Sequence, residues 1–135
     1  MSIISFEASV ALFQRRRYTN GNTKVFREGD NAVMTLHGHR IATYYPNDYA
    51  LEMSLCGWAT RTTRARLSAV CSRFRLNQLG FTQSQHQQYF GSRVIGANDT
   101  VRVDLRRAEA SIVGAEPPQP TEAERRGQMS LLELA

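Results

Sequence analysis

The sequence predicts an α+β domain, a small antiparallel β-meander covered by one main helix at about 62–79, followed by a disordered C-terminal tail. Three observations carry this. Residues 22–55 hold four short segments rich in β-branched, aromatic and long apolar side chains, separated by tight-turn signals. Residues 57–80 hold an apolar stripe at helical spacing, opened by threonines and closed by a glycine. From Gly114 the large apolar residues vanish and three of the four prolines arrive. The resulting division is a basic domain over 1–113, a Pro-rich and charged tether over 114–127 and a short peptide over 128–135.

In chain order, residues 3–18 read as a short helix or irregular lead followed by a strand, because Phe6, Val10 and Phe13 fall at helical spacing while Ala11 to Tyr18 also suits a strand entering Asn20-Gly21. The segments TKVFR, AVMTLH, RIATYY and YALEMSL follow. Asn20-Gly21, Glu28-Gly29-Asp30-Asn31, His37-Gly38-His39 and Tyr45-Pro46-Asn47-Asp48 punctuate them. Connections this short join antiparallel neighbours. The sheet then needs a cover, and the helix supplies it: Leu67, Val70, Cys71 and Phe74 share one face, with Thr60, Thr62 and Thr63 as candidate N-caps and Gly80 as the stop. Trp58 is expected to plug this helix onto the sheet. Beyond it, FTQSQHQQYF suggests one strand with His86 on the surface. The alternation Val101, Val103, Leu105 against Arg102, Asp104, Arg106 marks a half-buried strand near the end of the domain.

Composition excludes several classes. With 135 residues, 41% of them apolar, there is room for one modest core. No run is long and apolar enough for a membrane span, and the N-terminus lacks the pattern of a secretory signal, so a cytoplasmic address is expected. Cys56 and Cys71 read as buried thiols; zinc shared by them with His37 and His39 is conceivable, but no paired Cys-x-x-Cys spacing supports it, and no metal or cofactor is expected. No nucleophile elbow, phosphate-binding loop, zinc-protease helix or dinucleotide fingerprint occurs, and the acidic residues are scattered, so no catalytic residue is proposed and a non-enzyme is expected.

The net charge is +5, concentrated in residues 1–80, whereas residues 116–135 are acidic. Every basic residue except Lys24 is arginine, the side chain suited to bidentate contact with phosphate or carboxylate. Arg15, Arg16 and Arg17 beside Tyr18, and Arg61, Arg64, Arg66, Arg73 and Arg75 along the helix, are the candidate contacts for nucleic acid or an acidic partner. The same arginines can equally be a solvated frame around a buried stripe.

Gln128-Met129-Ser130-Leu131-Leu132 resembles the short linear motif by which bacterial polymerases, mismatch-repair proteins and other replication factors dock on the DNA polymerase sliding clamp. That pattern is Gln, then Leu or Met, Ser or Asp, Leu, and Leu or Phe; each position agrees. The resemblance implies Leu131 and Leu132 as anchors in an apolar cleft, Met129 packing beside them and Gln128 fixing the register, with Ser130 between. Separately, the runs GNTKV, TLHGHRIA and GWATRTTRARL are similar to a group of small bacteriophage proteins with the pattern GNTxV, LHGxxIA and GWxTxTTRxRL, over about residues 20–80. That similarity implies a phage origin and assigns no activity. Together they imply an accessory or host-takeover protein that docks on the clamp, its basic domain contacting DNA or a host protein. Two alternatives stand beside it: an anti-defence inhibitor whose folded domain binds a bacterial nuclease or interference complex, and a non-specific DNA-binding protein.

Overall fold

A computed structural model describes residues 2–76 and 78–113. The expected tether over 114–127 and the peptide over 128–135 lie outside the described residues.

Two helices, not one, pack on the sheet. The first, α1 (Ile3–Gln14), is capped by Ser2, whose hydroxyl accepts from the Ser5 amide. It buries its small side chains, Ser5, Ala8, Ser9 and Ala11, together with Leu12, and leaves Ile3, Phe6 and Phe13 exposed. The expected strand from Ala11 is therefore corrected: this stretch continues the helix to Gln14, and only Tyr18–Asn20 (β1) is extended. The apolar spacing of Phe6 and Phe13 marks a face that points outward. The inward face is made of small residues that let a neighbouring helix come close.

That neighbour is α2 (Arg61–Arg73), capped by Thr60, whose hydroxyl accepts from the Thr63 amide. Leu67, Val70 and Cys71 are buried as the wheel predicts. Ser5 lies against Arg66, and Phe13 against Phe74, so the two helices run side by side in the same direction with both C-termini at one end. α2 stops at Arg73 rather than near 79. Leu76 donates to the Cys71 carbonyl and Arg75 to the Ser72 carbonyl, with Arg75 left-handed at φ 61, the double bond pattern that closes a helix when its next residue turns into that region. Gly80 plays no part in this stop. Among the described residues, no helix is long and apolar enough to cross a membrane.

The four-strand meander is present as β2 (Thr23–Glu28), β3 (Asn31–Leu36), β4 (His39–Tyr45) and β5 (Ala50–Ser54). It belongs to a larger antiparallel sheet. β1 extends one edge, and β9 (Thr100–Asp104) with β10 (Glu109–Ile112) extends the other, in the order β1-β2-β3-β4-β5-β9-β10. Val25, Met34, Ala42, Met53 and Val101 occupy paired positions across that sheet and face the helices, which explains why all five are buried. Between α2 and β9 a second sheet forms from β6 (Phe81–Ser84), β7 (Gln87–Phe90) and β8 (Arg93–Ile95). FTQSQHQQYF is thus a hairpin, not one strand. Gln85 and His86 both take left-handed backbone, at φ 50 and 65, and make its two-residue turn. Phe81, Phe90 and Ile95 anchor the small sheet in the same core as the large one. Trp58 is 56% exposed, so it does not plug helix to sheet; it stands beside His39 with ring centroids 5.7 Å apart.

Candidate interface for an anionic partner

The arginines singled out in the sequence separate once their partners are known. Arg66 is a structural tie: Nε donates to Thr23 Oγ1 (3.1 Å) and Nη1 to Ser5 Oγ (2.6 Å), joining α2 to β2 and α1. Burial pushes its pKa down. Arg64 is also committed, with Nη1 donating to the Ala59 carbonyl (2.7 Å) and to Gln83 Oε1 (2.8 Å), which links the helix start to the β6–β7 hairpin. Arg61 is exposed in the first turn of α2. Arg15 takes left-handed backbone at φ 54 where α1 ends, and Nη1 donates to the Asp30 carbonyl (3.3 Å). Arg16 donates to Gln14 Oε1, whereas Arg17 lies on the edge formed by β1 and β2, in a concavity shared with Lys24.

Arg73 and Arg75 do come together, in a cleft of about 390 Å³ at the C-terminal end of the helix pair. Its walls are aromatic. Phe74 stands between Phe13, at 5.3 Å between ring centroids, and Tyr44, at 4.8 Å, both edge to face. Tyr49 and Leu105 complete the lining. Arg106 stacks over Tyr49 with its guanidinium carbon 4.0 Å from the ring centroid, and Arg73 lies 5.1 Å over Phe6. Phe13 and Tyr49 are each about half exposed, at 48% and 49%. Arg73 Nε is buried without a hydrogen-bond partner.

What distinguishes this cleft is cationic charge set among aromatic rings. Elsewhere two arginines are matched: Arg40 pairs with Glu28, whose carboxyl is held below its ordinary range by the hydrogen bond, and Arg102 pairs with Glu52 at 2.7 Å and Asp48 at 3.8 Å. Among the described residues, no carboxylate lines the cleft, and no ion pair reaches Arg73, Arg75 or Arg106. An arrangement of flat rings and guanidinium groups can hold a partner that is itself flat and negatively charged. The sequence pointed to Arg73 and Arg75 but missed Phe13, Tyr44, Tyr49 and Arg106, which come from three distant segments. Only the run Arg73-Phe74-Arg75 carried a local signal.

A larger cavity of about 480 Å³ opens at the opposite end of α2, with Leu36, Ile41 and Leu55 as its floor and Trp58 and His39 at its wall. It is lined by no arginine, lysine or carboxylate and is suited to an apolar group. His37 and His39 do not converge with the cysteines: the Cys56 thiol donates to the Arg40 carbonyl, while Cys71 contacts Met53, where burial pushes its pKa up to about 12. Among the described residues, no group of three potential metal ligands forms.

No curated protein and no solved structure matches the chain. A family described as Kyanoviridae Gp96 protein matches residues 1–107. That span includes both helices, every strand through β9, the whole lining of the cleft from Phe13 to Leu105, and Arg106 over Tyr49. The chain belongs to this bacteriophage protein family, Kyanoviridae Gp96.

Proposed function

We propose that this phage protein is an accessory or host-takeover factor that docks on the bacterial DNA polymerase sliding clamp through Gln128, Met129, Ser130, Leu131 and Leu132, while its folded domain offers positive charge to DNA or to an acidic host protein. It acts by binding and not by catalysis. The observation that carries this reading is the five-position agreement of residues 128–132 with the clamp-docking pattern. Its physical logic is two adjacent leucines filling an apolar cleft while the glutamine amide meets polar groups at the rim. The segment over 114–127 spans at most about 50 Å, which lets a docked peptide and the domain occupy neighbouring surfaces. The arginines of the cleft, joined in no ion pair among the described residues, support the second half of the proposal. Depending on the occupant it displaces, such docking either brings the domain to replicating DNA or competes with the host polymerase for the clamp.

Capture of the intact protein on immobilised clamp tests this directly. Wild-type chain is expected to be retained, and Leu131→Ala/Leu132→Ala or deletion of residues 125–135 to lower the affinity at least tenfold, because anchor truncation removes well over 1.4 kcal/mol. Retention unchanged by these variants, or no retention of the intact chain, overturns the proposal.

A further inference from the structure

We infer that the cleft between the helix C-termini and Tyr49 is a binding site for a single strand of nucleic acid, with bases stacking on Phe13 and Tyr49 and phosphates meeting Arg75 and Arg106. This deepens the reading of the domain as a contact for an anionic partner and is independent of the clamp peptide.

Three features converge on that partner. Among the described residues the charge is cationic and joined in no ion pair, which favours an anionic occupant. The walls are rings, two of them half exposed, and one already carries a guanidinium on its face at 4.0 Å. Alternating planar rings and guanidinium groups are the chemistry by which single strands are held without regard to sequence, since every base has a π-face and every linkage a charge. The third is shape: a cleft of about 390 Å³ admits a base or two, whereas a duplex keeps its base faces stacked inside and can offer only its backbone. An acidic protein segment would satisfy the charge but would leave the exposed ring faces without flat partners.

The test is fluorescence anisotropy of labelled short oligodeoxyuridylate and oligouridylate titrated with the full chain at low salt, beside a duplex of equal length and a poly-glutamate peptide. Saturable binding of either single strand, at least tenfold tighter than the duplex, is expected, and the stronger arm identifies the sugar. Tyr49→Ala and Phe13→Ala should each weaken it by about tenfold, while Tyr49→Phe retains it, because the ring and not the hydroxyl stacks. Arg75→Glu and Arg106→Glu should weaken binding and flatten its salt dependence by roughly 0.7 in logarithmic slope for each phosphate no longer neutralised. Thermal melts of each variant confirm that the fold survives. Leu131→Ala/Leu132→Ala should leave strand binding unchanged, and the cleft variants should leave clamp capture unchanged, so the two readings fail separately. Absence of single-strand binding, duplex binding of equal strength, unchanged affinity in the ring variants, or binding of poly-glutamate in place of the strand would each overturn the inference.

Discussion

Arg66 joins three elements through one guanidinium, and its chemistry sets it apart from the arginines of the cleft. Ser5 and Thr23 are each only 1% exposed, so the hydroxyls that accept from Arg66 have little access to water. Removing the donor leaves both buried oxygens with one partner fewer, a loss that costs about 1–3 kcal/mol. Arg66→Ala is therefore expected to lower the unfolding free energy measured in urea by that amount. Arg66→Lys should recover only part, because an ammonium cannot serve two directions from a planar fork. Neither substitution should alter binding of a single strand or of the clamp. If Arg66→Ala leaves stability untouched but weakens strand binding, Arg66 is a contact residue and not a structural tie. At this scale the sequence carries limited information. The arginines of α2 look alike in a string, and what separates Arg66 from Arg75 is which hydroxyls happen to lie within hydrogen-bonding reach after folding.

The two helices end by the same device, and neither ends on the residue that usually provides it. In each, an amide just beyond the last turn reaches back to an inner carbonyl, Arg16 to Ala11 and Leu76 to Cys71, while an arginine takes the left-handed position before it. Glycine fills that position at little steric cost, whereas an L side chain there costs roughly 1–2 kcal/mol. Arg75→Gly is accordingly expected to raise the melting temperature by several degrees, the gain of about 1 kcal/mol in a domain of this size, while weakening strand binding. A melting temperature that falls would show that Arg75 contributes more to packing than its exposed side chain suggests. This choice of residue also explains where the element boundaries were illegible. With no glycine after Phe74, the stripe Leu67, Val70, Cys71, Phe74 announced α2 but not its end, and the next glycine, Gly80, drew the boundary too far. The β6–β7 turn hid for the same reason, since Gln85 and His86 carry a conformation normally signalled by Asn-Gly. By contrast, Asn20-Gly21, Gly29 and Gly38 stand at true turns, and the strands between them lie where alternation and turn chemistry place them.

On the scale of the whole molecule, the large sheet, the helix pair and the small sheet share one core. The cleft is assembled from α1, the β4–β5 connection, the end of α2 and the turn after β9, segments spread from Phe13 to Arg106. No pattern in the string links them, because a site made of long-range neighbours has no period; Arg73, Phe74 and Arg75 were visible together, but Phe13, Tyr44, Tyr49 and Arg106 were not. The acidic segment that follows carries the proposed clamp peptide on a connection that spans at most about 50 Å. Two weak attachments joined by so short a connection act together if both partners are presented at once, since the second binds at a local concentration in the millimolar range. A clamp loaded on DNA with an adjoining single strand presents both. The full chain is expected to bind that assembly about a hundredfold tighter than free clamp. Tyr49→Ala or Leu131→Ala/Leu132→Ala should each return it to the affinity of one attachment alone. Raising salt should remove the excess while sparing the clamp peptide, because phosphate neutralisation is the salt-sensitive half and leucine burial is not. Surface plasmon resonance on clamp with and without the primed strand measures this, and equal affinity for the two surfaces would mean that peptide and cleft never engage together.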